Sequence, residues 1–169
     1  MLIDIVNKRY SCRKFIEKAI DKELIYKCID TARLAPSACN SQPWKFYVVI
    51  DKVTRMEFVK LTQPFAKNAA FIIVEEKKPN FSEKIVNNLK NQDFTKTDIG
   101  IACSYISLQA TELGLATCMV GYFNENKIKK TLNINESSRL RLVICIGYPD
   151  ESEKHKVVRK EISEIMEVF

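Results

Sequence analysis

The chain has 169 residues, 46% hydrophobic and 28% charged, with a formal net charge of +6. This is the balance of an ordinary folded domain, able to bury roughly two thirds of its unfolded surface, and it argues against a disordered or fibrous chain. The basic excess is spread among acids, without an arginine-rich arm or an aromatic RNA-binding pattern, so a solvated basic surface that attracts small anions is expected in place of a nucleic-acid interface.

Met1 to Val6 contains an acid and runs at once into Lys8 and Arg9, fitting neither a signal peptide nor an anchor. No apolar run is long enough to span a bilayer, so a cytoplasmic location without a membrane partner is expected. Residues 2–8 read as a short helix, followed by the basic stretch Lys8 to Phe15. Asp21 is placed to cap a helix through about Leu34, with Leu24, Ile25, Cys28, Ile29 and Ala32 at helical spacing. Pro36 and Pro43 bound a loop. Phe46 to Ile50 and Ala70 to Val74 read as strands with both faces covered, separated by a helix from Thr54 to Leu61. A polar surface helix is expected over 82–91. The apolar helix from Asp98 to Leu113, ended by Gly114, belongs in the core or in a subunit interface. Strands at Cys118 to Gly121 and Leu142 to Gly147, with a helix near Glu125 to Leu132 between them, complete a mixed sheet packed between helices. With no linker or repeat, residues 1–169 are read as one domain.

Several chemistries are excluded by what the chain lacks. Its single histidine, His155, lies in a charged stretch and is expected at the surface, which leaves neither a histidine-based triad nor a histidine metal site. The six cysteines form no CxxC pair and are expected to be free, mostly buried thiols. The four glycines never cluster, so no backbone cradle for a phosphate exists, and side chains must hold one. Arg9, Ser11 and Arg13 supply them: in an extended segment they share one face, two guanidinium forks and a hydroxyl. In the loop Ala35 to Trp44, Asn40 and Gln42 each carry a donor and an acceptor, the complement of a flavin's pyrimidine edge. Taken singly, each feature has a plainer explanation: a solvated basic turn, and a loop whose carboxamides bond to backbone while Trp44 enters the core.

Together, the Arg9-x-Ser11-x-Arg13-x-Phe15 segment and the Ala35-Pro36-Ser37-x-x-Asn40-x-Gln42-Pro43-Trp44 loop resemble the nitroreductase family of flavoproteins. The likeness continues through Asn68 to Val74, Glu112 to Leu115, Met119 to Tyr122 and Gly147 to Pro149, in order and over nearly the whole chain. It implies an α+β, three-layer α/β/α fold with a mixed, mainly antiparallel sheet. It also implies a homodimer with FMN at the subunit interface. By that resemblance Arg9, Tyr10, Ser11 and Arg13 would hold FMN at its phosphate and pyrimidine side, with Arg13 closest to the N1/O2 edge. The partner's Pro36, Ser37, Ala38, Asn40 and Gln42 would meet the ring, Val120 and Gly121 would present backbone to N5, and Arg159 with Lys160 would close on the phosphate. The implied activity is ping-pong hydride transfer from NAD(P)H to a nitroaromatic, quinone or related small acceptor, carried by the flavin without a catalytic side chain or metal. Dehydrogenation, dehalogenation, flavin processing and a non-catalytic flavin carrier or sensor are the alternatives. The family often has a basic residue where this chain has Phe65, and the modest region between Val74 and Asp98 suggests an open pocket. Cys39 stands in the loop either as an inert small residue or facing substrate.

Overall fold

The computed structural model describes residues 1–90, 92–153 and 157–169, with Lys90 and Glu153 described by backbone alone. His155 therefore lies outside the described residues. Helix α1 (Leu2–Lys8) leads into an extended segment, and α2 (Lys22–Arg33) starts where the Asp21 carboxylate accepts the Glu23 N–H at 3.0 Å. Strand β1 (Trp44–Val49) is followed by α3 (Lys52–Leu61), capped by Asp51 accepting the Thr54 N–H at 2.8 Å. Then come β2 (Ala70–Glu76), α4 (Phe81–Lys90), the long α5 (Phe94–Glu112), β3 (Ala116–Val120), α6 (Glu125–Thr131) and β4 (Arg139–Gly147). Gly114 ends α5 with φ +76°, a conformation that glycine adopts without a Cβ penalty.

The four strands form one sheet in the order β1-β2-β4-β3, antiparallel at every pairing. Helices cover both faces, as the three-layer expectation requires. On one face Ala70, Ile72, Val74, Ile144 and Ile146 pack with Ile25, Cys28 and Ala32 of α2 and Ile99, Ala102, Cys103, Ile106 and Ala110 of α5. On the other, Phe71, Ile73, Val143 and Cys145 pack with Phe58 of α3, Ile128 of α6 and Ala66. Phe58 and Phe71 meet at 5.5 Å between ring centroids. A bulge opposite Val74 and Glu75 leaves Arg141 unpaired and shifts the alternation, so that Leu140 joins the second face.

The pairings fit the expected mainly antiparallel sheet, and the sole parallel contact among the described residues is an isolated bridge between Ser11 and Thr117. Two boundaries move. Strand β1 is an edge running from Trp44 to Val49 where Phe46 to Ile50 was expected; Tyr47 and Val49 pack into the core on one face and Trp44 and Phe46 on the other, with Lys45 and Val48 exposed. Helix α5 begins at Phe94 rather than near Asp98, whose side chain is used elsewhere. The apolar circumference of α5 is met within the chain, chiefly by α2 and the sheet. All six cysteines are free, and all but Cys39 are buried.

Candidate functional site

Beyond α1 the chain cannot stay helical, because it is drawn onto the free edge of β3. Arg9 turns extended (φ −68°, ψ 127°), Ser11 bridges Thr117, and the Cys12 N–H donates to the Thr117 carbonyl at 2.9 Å. The side chains then part: Cys12 and Phe15 enter the core, while Ser11 and Arg13 are exposed and Arg9 half-buried. Among the described residues neither Arg9 nor Arg13 is paired with a carboxylate. The Tyr10 ring is instead half-buried against the core, sharing a cleft with Glu112, Leu115 and Pro149, and burial, with Cys12, Glu151 and Asp150 adding to it, pushes its phenol up to about 12. It stays a neutral wall at working pH.

The edge continues to the end of β3. Burial pushes the Cys118 thiol up while the nearby Arg13 charge works against it, which locates the guanidinium beside this strand. Val120 is buried and Gly121 is exposed, and a Cβ built on Gly121 would meet nothing within 4 Å. The absent side chain is therefore not required by the chain's own packing. Two unpaired guanidiniums, a hydroxyl and an open glycine along one sheet edge suit a ligand with a phosphate at one end and a flat ring at the other.

The second motif lies elsewhere. Residues 36–42 form an exposed to half-buried loop preceding β1, the opposite edge of the sheet from β3. Cys39, Asn40 and Gln42 all hold left-handed backbone (φ +50°, +51° and +48°), each costing about 1–3 kcal/mol for an ordinary side chain and less for asparagine. Internal bonds support them: the Gln42 N–H donates to Ser37 Oγ at 3.0 Å, and Gln42 Nε2 to Asn40 Oδ1 at 3.1 Å. The Trp44 indole is half-buried against the core beside α2 and α5.

Thus the structure places Arg9, Tyr10, Ser11 and Arg13 on the segment that bridges β3 at Thr117, with Val120 and Gly121 at the end of that strand, and keeps Pro36, Ser37, Ala38, Asn40 and Gln42 apart from them in the same chain. Arg159 and Lys160 stand in the exposed C-terminal segment, with Arg159 donating to the Val158 carbonyl at 3.5 Å. No hydrogen bond or ion pair among the described residues ties either to the Arg9–Arg13 segment. Asp98, Asn80 and Ser41, which hold the loop, were missed in the sequence. Asp98 carried a signal, an acid in line with Ala102 and Ile106 on an apolar helix.

The model of the nitroreductase family matches residues 6–60 and 50–148. An iodotyrosine deiodinase of Thermotoga neapolitana is 28% identical over 96% of this chain and 95% of its own. A protein of Archaeoglobus fulgidus, provisionally named NADH dehydrogenase/NAD(P)H nitroreductase, is 31% identical over 89% of this chain and 87% of its own. Among solved structures, an FMN-dependent nitroreductase from Clostridium difficile R20291 superposes with a TM-score of 0.77 at 28% identity, covering 98% of each chain.

Proposed function

The chain belongs to the nitroreductase family, and from that membership we propose that it is an FMN-dependent oxidoreductase acting as a homodimer. The observation that supports this reading is the β3 edge: Ser11 bridges Thr117, Arg9 and Arg13 flank it free of carboxylates among the described residues, and the open Gly121 follows the strand's end. When bound, FMN would supply hydride acceptance from NAD(P)H and delivery to a small oxidised acceptor. The chain's own part is to bind and orient. Arg9 and Ser11 would hold the phosphate, Arg13 would set a positive charge against the ring's pyrimidine edge, and Gly121 would admit the ring to the strand end. Tyr10, packed and neutral, walls this strip and keeps its phenolic proton at working pH.

The separation of the motifs supports a two-fold partner. Three strand intervals, about 14 Å, lie between β1 and β3, so the loop that complements a flavin edge would serve the flavin of the partner. The apolar side chains Leu2, Ile3 and Val6 of α1 and Ile162, Ile165, Met166, Val168 and Phe169 near the C-terminus are all exposed, a surface that association would cover.

The likeness to an iodotyrosine deiodinase favours a second reading of the same site, reductive dehalogenation. Both are tested by anaerobic titration of the FMN-loaded protein with NADH and NADPH, followed by a quinone, a nitroaromatic or a halogenated tyrosine. Bleaching of the flavin by a nicotinamide and recovery with the first two, with parallel double-reciprocal lines, is the expected result. Recovery with the halogenated tyrosine alone would replace it by the second reading. Flavin that resists both nicotinamides would make the protein a carrier.

A further inference from the structure

Left-handed backbone at residues other than glycine persists only where its surroundings over-determine it, and the loop bearing Cys39, Asn40 and Gln42 is gripped from two helices. From α5, the carboxylate of Asp98 accepts the Ala38 N–H at 3.0 Å, one residue before the left-handed pair begins. From the start of α4, Asn80 Nδ2 donates to the Cys39 carbonyl at 2.9 Å and the Asn80 N–H to Ser41 Oγ at 2.8 Å, while Asn80 Oδ1 accepts the Glu83 N–H at 2.9 Å.

Asp98 is an expensive residue at this place. It is buried, and among the described residues no cation pairs with it. Burial pushes its carboxyl up, the Ala38 N–H works against this, and the charge of Glu83 adds to the rise. Glu83 is itself fully buried, with Oε2 lacking a partner. An apolar side chain at 98 would extend the packed stripe of Ala102 and Ile106 without those costs. What the acid adds is an acceptor for an amide that would otherwise be left without one.

We propose that Asp98 is a positioning residue of the cofactor site: with Asn80 it clasps the Ala38–Ser41 backbone and so fixes the conformation in which Asn40 and Gln42 meet a flavin. The inference rests on the flavin reading above, and the clasp itself has a readout that does not need flavin. Wild type, Asp98→Asn and Asp98→Ala are compared by hydrogen exchange of the 38–42 amides in cofactor-free protein and by FMN fluorescence titration. Asp98→Asn keeps an acceptor and removes the charge. Asp98→Ala is expected to speed exchange and to weaken FMN roughly tenfold or more, the loss of a hydrogen bond to a charged group, with Asp98→Asn restoring both to within about threefold of wild type. Unchanged exchange in Asp98→Ala, or an Asp98→Asn variant as loose as the alanine, would overturn the proposal. If Asp98→Ala does not fold, the exposed Asn80→Ala reports on the same clasp, and tight exchange there overturns it equally. Wild type that takes up no FMN would sink the flavin reading, and the exchange comparison would still decide the clasp.

Discussion

At the scale of single residues, charge without a partner is the informative feature. Among the described residues Lys14, Arg33, Lys52, Lys77, Lys96, Lys129 and Arg141 each meet an acid; Arg9 and Arg13, like Arg139 and Arg159, do not, and they alone of these flank the Ser11 bridge to β3. Because Arg13 is exposed and stabilises nothing by an ion pair, Arg13→Ala is expected to leave the melting temperature within a few degrees of wild type. Its FMN dissociation constant should rise about 10- to 100-fold, the value of one charge-assisted contact, measured by fluorescence titration. An unchanged constant would remove Arg13 from the site. The thiols are quiet by contrast: burial alone pushes Cys28 and Cys103 up to about 12, which leaves Cys39 as the exposed one.

At the scale of elements, two glycines separate binding from packing. Gly121 borders open space, so Gly121→Val is expected to fold with stability within about 0.5 kcal/mol of wild type yet bind FMN at least roughly tenfold more weakly. At Gly147 a Cβ would lie 2.9 Å from Phe15 Cδ1 and 3.6 Å from the Ala69 backbone. Gly147→Ala should therefore cost about 1–3 kcal/mol in denaturant unfolding while leaving the affinity of the folded fraction intact. The reverse pattern would exchange the roles assigned to these positions. Most elements were legible in the sequence because period and caps agree: Asp21 caps, Gly114 stops, and the doubly apolar runs of β2 and β4 are buried on both faces. The alternation of Arg9, Ser11 and Arg13 was legible for the same reason. Strand β1 was placed two residues late because its apolar run begins only at Phe46, past Lys45, whereas pairing with β2 starts at Trp44. The start of α5 was misread because an aspartate looks like a cap, and only the fold shows Asp98 reaching the Ala38 amide. Tyr10 turned coreward for a related reason, since the strand that receives it is a hundred residues away in the chain.

At the scale of the whole molecule, the order β1-β2-β4-β3 decides how the site is assembled. It puts the Arg9–Arg13 segment at one edge and the carboxamide loop at the other, a separation that on the reading proposed above calls for a second chain to complete the flavin site. The exposed apolar residues of α1 and the C-terminal segment, where Arg159 and Lys160 also stand, give a second chain a surface to cover. A flavin site shared between two copies reconciles the sheet order, the unpaired arginines and the apolar surface in one arrangement. Sedimentation velocity followed at a flavin absorption wavelength, on protein incubated with FMN, tests it most directly. The account predicts that the flavin signal sediments with a species of twice the chain's mass, at one flavin per chain. Flavin left unsedimented at the meniscus, or carried by a species of single-chain mass, would contradict it.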